Sequence, residues 1–159
     1  MPELDINTPV GAFYKHRQQE LLDRFAILSP NFEVWVTDPD REATVDALVT
    51  KGGRLVAVME ARCRNMPMAK LRGYGSAIIS AKKLRRMRAL GASLCAKVLL
   101  FNGYDDAIGL WTLYDEHGAQ VTPFTEAMTE GQATCNGGRI VRRHAYLSLD
   151  TMKVVPWFD

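Results

Sequence analysis

Two apolar-rich runs meet across a Lys51-Gly52-Gly53 turn in the stretch VDALVTKGGRLVAVMEARCR, from Val45 to Arg64. β-Branched and apolar residues on either side of a glycine pair are a hairpin signal, because glycine reaches the positive φ angles a tight turn needs. The second run, Leu55 to Met59, is apolar without alternation, the pattern of a strand covered on both faces. Two acids interrupt the hairpin: Asp46 near the start of the first run and Glu60 near the end of the second. Antiparallel pairing about the turn brings both to the open end. They lie an even number of positions apart, so a register that puts both side chains on one surface is open. Two carboxylates brought together raise each other's proton affinity unless a cation sits between them. A divalent metal with oxygen ligands is the usual cation. Arg62, two residues past Glu60, shares its strand face and sets a positive charge beside the acids.

The flanking chain supplies further elements. Thr8-Pro9 opens a helix expected from about Val10 to Ile27, with Thr8 as N-cap and Pro9 in the first turn. Its apolar stripe is Phe13, Leu21, Leu22, Phe25 and Leu28. Glu20 borders that stripe, either as a helix acid paired with Arg17 or Arg24 or as a third acid facing the hairpin. Phe32 to Thr37 alternates and reads as a strand. Asp38 and Asp40 fall in a Pro-containing turn, where Asp usually accepts from the local backbone. Residues 63–73 read as a loop. Tyr74 to about Leu90 reads as a helix stopped by Gly91. Within it, Lys82 lies four residues after Ile78 and is expected to point toward the strands. The run Lys82, Lys83, Arg85, Arg86 and Arg88 is the densest basic stretch, a solvated cationic face or one that steers a phosphate backbone. Residues 95–101 and 107–113 read as strands joined by a turn that contains Asp105 and Asp106. The helix between 55–62 and 95–101 is a crossover, which predicts that these two strands are parallel neighbours. Residues 114–138 read as a loop-rich appendage, and 139–149 as an edge strand. The tail to Trp157-Phe158 is apolar enough to dock on the body.

Asp46 followed by Glu60-Ala61-Arg62 resembles the D…(D/E)-x-K signature of the PD-(D/E)XK nuclease superfamily, with Arg62 where the family has Lys. The longer run Glu60-Ala61-Arg62-Cys63-Arg64 is similar to an E-x-K-x-R variant of some phage-type members. Glu20 stands in the preceding helix, where many members carry an extra acid. Ile79-Ser80-Ala81-Lys82-Lys83 stands in the following helix, where many place a Lys or Gln near the site. The likeness spans roughly residues 10–115. It implies an α/β fold with a restriction-endonuclease-like core, a mixed central sheet of about four or five strands flanked by helices. It implies a nuclease that hydrolyses DNA phosphodiester bonds with Mg²⁺ (or Mn²⁺) held by Asp46, Glu60 and the carbonyl of Ala61. The catalytic set carried over is Asp46, Glu60, Arg62, Lys82 and Glu20. DNA contacts are expected from Arg64, Lys70, Arg72, Lys83, Arg85 and Arg86, and a homodimer is compatible with cutting two strands.

Arg62 defines the rival readings. A guanidinium stabilises charge and binds phosphate in a fork, but it holds its proton, with a pKa above ~12. Either the attacking water needs no protein base, or Lys82 reaches in, or the domain binds DNA or a protein partner without cutting. In a third class, a structural or assembly protein, the acids merely pair with Arg62 and Arg64.

Size sets outer bounds. A chain of 159 residues suggests one domain, with 114–159 as a loop-rich C-terminal extension of it. The formal net charge of +2 neither demands nor excludes nucleic acid, since local patches decide. No apolar run approaches ~18 residues, so no membrane span is expected. MPELDINTP has neither a basic start nor an apolar core, so no secretory signal is expected. Cys63, Cys95 and Cys135 are odd in number and widely spaced, the pattern of free thiols in a reducing compartment. Together these suggest a cytoplasmic protein, acting in the host cytoplasm if it is phage-encoded.

Overall fold

The computed structural model describes residues 9–37, 43–132 and 139–159; Asp38 and Asp40 lie outside the described residues. The fold is α/β. Helix α1 (Pro9–Leu28) is followed by strand β1 (Glu33–Val36) and the hairpin β2 (Ala47–Lys51) and β3 (Arg54–Cys63). Then come α2 (Met68–Tyr74), β4 (Ser76–Ser80), α3 (Ala81–Ser93), β5 (Lys97–Gly103) and β6 (Ile108–Tyr114). The chain closes with β7 (Phe124–Gln132), β8 (Arg139–Ser148) and β9 (Lys153–Val155).

A mixed six-stranded sheet, in the order β1-β2-β3-β5-β6-β9, carries the molecule. Its centre is β3, antiparallel to β2 and parallel to β5 as the crossover predicts. Gly52 and Gly53 close the hairpin at φ 58° and 76°, a left-handed pair that side chains with a Cβ rarely adopt. The unbroken apolar run in β3 has a simple cause. On one face Ala57, Met59 and Ala61 meet Leu21, Leu22 and Phe25 of α1. On the other, Val58 joins a core with Leu84 and Met87 of α3 and with Val98, Trp111 and Leu113.

Several expectations need correction. The predicted helix over 74–90 is two elements. Ser76–Ser80 alternates, with Ala77 and Ile79 buried, and pairs antiparallel with β8. The helix starts only at Ala81, where Ser80 Oγ accepts from the Lys83 N–H at 3.4 Å. Gly91 does not stop that helix but lies within it. A Cβ there would sit 2.6 Å from Val98 Cγ2 and 2.9 Å from the Ala96 carbonyl, so the glycine lets α3 approach β5. The 63–73 loop contains α2, whose first N–H, on Met68, donates to Asp106 Oδ1 at 2.8 Å.

The loop-rich appendage contains β7, and β8 is the middle strand, not an edge, of a second sheet ordered β4-β8-β7. Its inner face adds Ala77, Ile79, Ala145 and Leu147 to the α3 core. The expected four or five strands are thus six, plus three in this smaller sheet. On α1, Phe13 is exposed while Arg24 is buried, its guanidinium donating to the Pro156 carbonyl at 2.9 Å and to Asp159 at 3.1 Å. The tail docks as expected, with Trp157 buried and its indole N–H on the Tyr104 carbonyl. No described helix is long and apolar enough to cross a membrane.

Gly91→Ala is expected to destabilise the fold by about 1–3 kcal/mol through overpacking against Val98 and the Ala96 carbonyl. Urea unfolding of the variant beside the parent, with the slope unchanged, checks this.

Candidate active site

The hairpin register decides what the two acids can do. Ala47 pairs with Met59, and one step outward the Asp46 N–H donates to the Met59 carbonyl at 3.0 Å. Asp46 therefore stands beside Glu60 at the open end. Thr37 pins the turn into β2: its hydroxyl and N–H both donate to the Asp46 carbonyl at 2.9 Å. Asp46 Oδ2 accepts the Ala61 N–H at 2.9 Å, which ties the carboxyl to the residue after Glu60.

Glu60 is 2% exposed. Its Oε1 takes the Arg62 Nε–H at 2.9 Å and its Oε2 is 3.1 Å from Lys83 Nζ. A buried carboxylate tolerates loss of water only with such partners. Asp46 has no cation of its own within ion-pair distance among the described residues. Burial, and after it the charge of Glu60, push its carboxyl up from 3.8 to about 7, against the opposing pull of the Ala61 N–H and of Lys83. The Ala61 carbonyl accepts from Gln18 Nε2 of α1 at 2.9 Å.

Arg64 continues the same strand face as Glu60 and Arg62. Burial, and then the neighbouring Arg62, push its guanidinium down to about 10. One nitrogen donates to the Ile78 carbonyl of β4 at 3.3 Å and the other is buried without a hydrogen-bond partner. On β5, Asn102 is level with Arg62 and buried, and its amide donates to the Tyr104 hydroxyl at 3.3 Å. All of these groups lie at the carboxyl ends of the parallel pair β3 and β5, where open α/β sheets commonly bind ligands.

The expected site residues divide. Asp46, Glu60, Ala61 and Arg62 come together, with Lys83 beside them and Arg64 adjacent. Lys82 does not join them: it is exposed, and Lys83 reaches Glu60 instead. The inward reading of Lys82 measured helical phase from Ile78, but Ile78 is in a strand, so the 3.6-residue period begins only at Ala81. Glu20 pairs with His16 at 3.0 Å and with Arg17 at 2.8 Å. It is half exposed and makes no described bond to Asp46 or Glu60. Its charge, with that of Arg17, acts on Cys63, whose thiol burial pushes up to about 11. Lys70 and Arg72 are exposed on α2, as are Arg85 and Arg86 on α3. Arg85 lies 3.7 Å from Glu126 of β7, which also pairs with Arg143 at 3.4 Å. The basic face of α3 is thereby partly neutralised.

Gln18 is the residue that reading the chain alone overlooked. Its signal was present: Gln18, Leu21, Leu22 and Phe25 follow helical spacing, so an amide sits on the buried stripe. Glu20 lies off that stripe.

The donor set suits a hard divalent ion. Two carboxyls stand side by side with the Ala61 peptide against them, its N–H on Asp46 Oδ2 and its carbonyl on Gln18. Among the described residues no three His, Cys, Asp or Glu side chains cluster as a metal cage. Mg²⁺ does not ask for one, since it keeps several waters and takes one or two carboxylates.

No protein family, curated protein or solved structure matches the chain.

The raised pKa of Asp46 has a consequence with a definite sign. Its contribution is most favourable below pH ~4 and is lost as pH rises from about 4 to about 7, where the folded carboxyl must ionise. Without divalent ions, Asp46→Asn should therefore gain stability over the parent as pH rises through that window, on the order of 1–3 kcal/mol by pH 8. Urea midpoints at pH 4, 6 and 8 in chelator check it; an equal gain at all three would exclude this origin.

Proposed function

We propose that this chain is a Mg²⁺- or Mn²⁺-dependent nuclease that hydrolyses DNA phosphodiester bonds on a restriction-endonuclease-like core. The supporting observation is the meeting of Asp46 and Glu60 across the hairpin register, with Arg62 and Lys83 both on Glu60. The order of α1, the β2–β3 hairpin, α3 and the parallel partner β5 agrees with the arrangement the motif resemblance implies.

Asp46, Glu60 and the Ala61 carbonyl would hold the ion, which when bound supplies Lewis-acid charge neutralisation and a lowered water pKa. The chain's own residues divide the remaining tasks. Arg62 presents a fork for a non-bridging phosphate oxygen while it holds Glu60 in place. Lys83 supplies, beside Glu60, the ammonium that the motif lacks at position 62. Gln18 fixes the peptide between Glu60 and Arg62 by holding the Ala61 carbonyl. Arg64, Lys70, Arg72, Arg85 and Arg86 would meet the phosphate backbone on either side, a salt-sensitive contribution to affinity.

A second reading rests on a specific observation: Arg62 and Lys83 already match the charge of Glu60. A silent relative that binds DNA or a protein partner, or a structural role, is compatible with that pairing. Cleavage separates the readings. With Mn²⁺, the parent should nick plasmid or degrade single-stranded DNA, and Asp46→Ala and Glu60→Ala should abolish it. DNA binding by an equally inert parent and variants would remove the nuclease reading. Calorimetry with Mn²⁺ should show binding to the parent and none to Asp46→Ala; no heat with either protein favours the structural reading.

Lys83 and Lys82 provide an internal control. Lys83→Ala should lower the cleavage rate by about 10²–10³, as for loss of a transition-state charge contact. Lys82→Ala should stay within a few-fold, since its side chain points to solvent. Equal losses in both would place the effect in general DNA affinity.

A further inference from the structure

The opposite end of the six-stranded sheet carries a feature that the nuclease reading does not use. A groove of about 610 Å³ opens on the α1 face, beyond the helix's last turns. Its walls are Phe25 and Phe32, and its floor includes Val49, Val56 and Leu99 from β2, β3 and β5. Val56 and Leu99 are only partly covered, although they belong to the α1-side core. The volume is that of small-molecule sites, which are concave and mostly apolar with a few placed polar groups.

The strand registers place a row of cations along one side of this floor. Lys51 pairs with Arg54 across the hairpin turn, and Lys97 on β5 is level with Ala57 on β3. All three are exposed and line the groove. Lys51 lies 5.5 Å from the Phe32 ring centroid, so one wall of the groove already accommodates a cation. Among the described residues, none of the three is in an ion pair. The acids nearby are Glu116 on the lip and Asp115, whose Oδ1 takes the backbone N–H groups of His117 and Ala119. The lining thus has an apolar rank of side chains beside a predominantly cationic rank. A second copy of this chain would bring the same cations against them, which disfavours self-docking.

We propose that this groove binds a small amphipathic anion: an apolar body on Phe32, Val56 and Leu99, with a carboxylate or related head between Arg54 and Lys97. The site is separate from Asp46 and Glu60. Arg54 precedes Glu60 by about 20 Å of strand, and Glu60 turns toward α3 while the groove lies on the α1 side. Failure of either proposal leaves the other standing.

Cys95, exposed on the groove's lip, provides a reporter. Dodecanoate should bind the intact protein saturably in the micromolar range, and dodecanol, of equal chain length, about tenfold more weakly, since it lacks the charge. Bound dodecanoate should slow alkylation of Cys95 by N-ethylmaleimide, followed on the Cys95 peptide by mass spectrometry. The double variant Arg54→Glu/Lys97→Glu should lose about tenfold or more in dodecanoate affinity with its circular dichroism unchanged. Should that variant misfold, Arg54→Gln and Lys97→Gln singly should each lose about threefold. Absence of saturable dodecanoate binding, equal affinity in the charge variants, or unprotected Cys95 would each overturn the proposal.

Discussion

Everything in this molecule that bears on chemistry depends on the pairing of β3. It is hydrogen-bonded to β2 on one edge and β5 on the other, and covered by α1 on one face and α3 on the other. A strand enclosed on four sides cannot slip. A shift of one residue against β2 would carry its buried side chains to the wrong face and part Asp46 from Glu60. The apolar run from Leu55 to Met59 is thus the device that makes a precise meeting of two acids affordable in a low-dielectric setting.

The electrostatics at the strand's end follow from that enclosure. Glu60 is buried and the charges around it are only partly exposed, so each is governed largely by its neighbours. Glu60 has two cations beside its buried carboxyl; Asp46 has the Ala61 N–H and Glu60 itself as neighbours and holds its proton into the neutral range. Arg64 is the reverse case, a cation whose burial is compensated by one long hydrogen bond. An asymmetric cluster of this kind, with one acid short of positive charge and one guanidinium short of an acceptor among the described residues, is a common property of sites that meet ions or substrates.

Local pattern was a good guide where one element decided its own state. The β2–β3 hairpin, the crossover that makes β3 and β5 parallel, and α1 follow from glycine placement, apolar periodicity and chain length. It was a poor guide where a short segment took its state from a distant partner. Ser76–Ser80 holds two β-branched isoleucines among small residues, and next to a strongly helical run it scans as a first helical turn. Pairing with β8, some seventy residues later in the chain, makes it a strand. That change re-phases α3 and exchanges Lys82 for Lys83 at the site. The same long-range pairing turns 124–132 from apparent loop into strand β7.

The amino-acid sequence by itself determined that two acids and an arginine would lie at the open end of a buried hairpin, because turn chemistry and strand periodicity act over neighbouring residues. The tertiary structure alone decided which lysine reaches Glu60, that Gln18 and not Glu20 touches the site, and that Asp46 has no ion-pair partner among the described residues. Those outcomes depend on helix phase and on the approach of α1 and α3 to β3. Both are set by close packing between segments far apart in the chain, at a resolution of a single side chain.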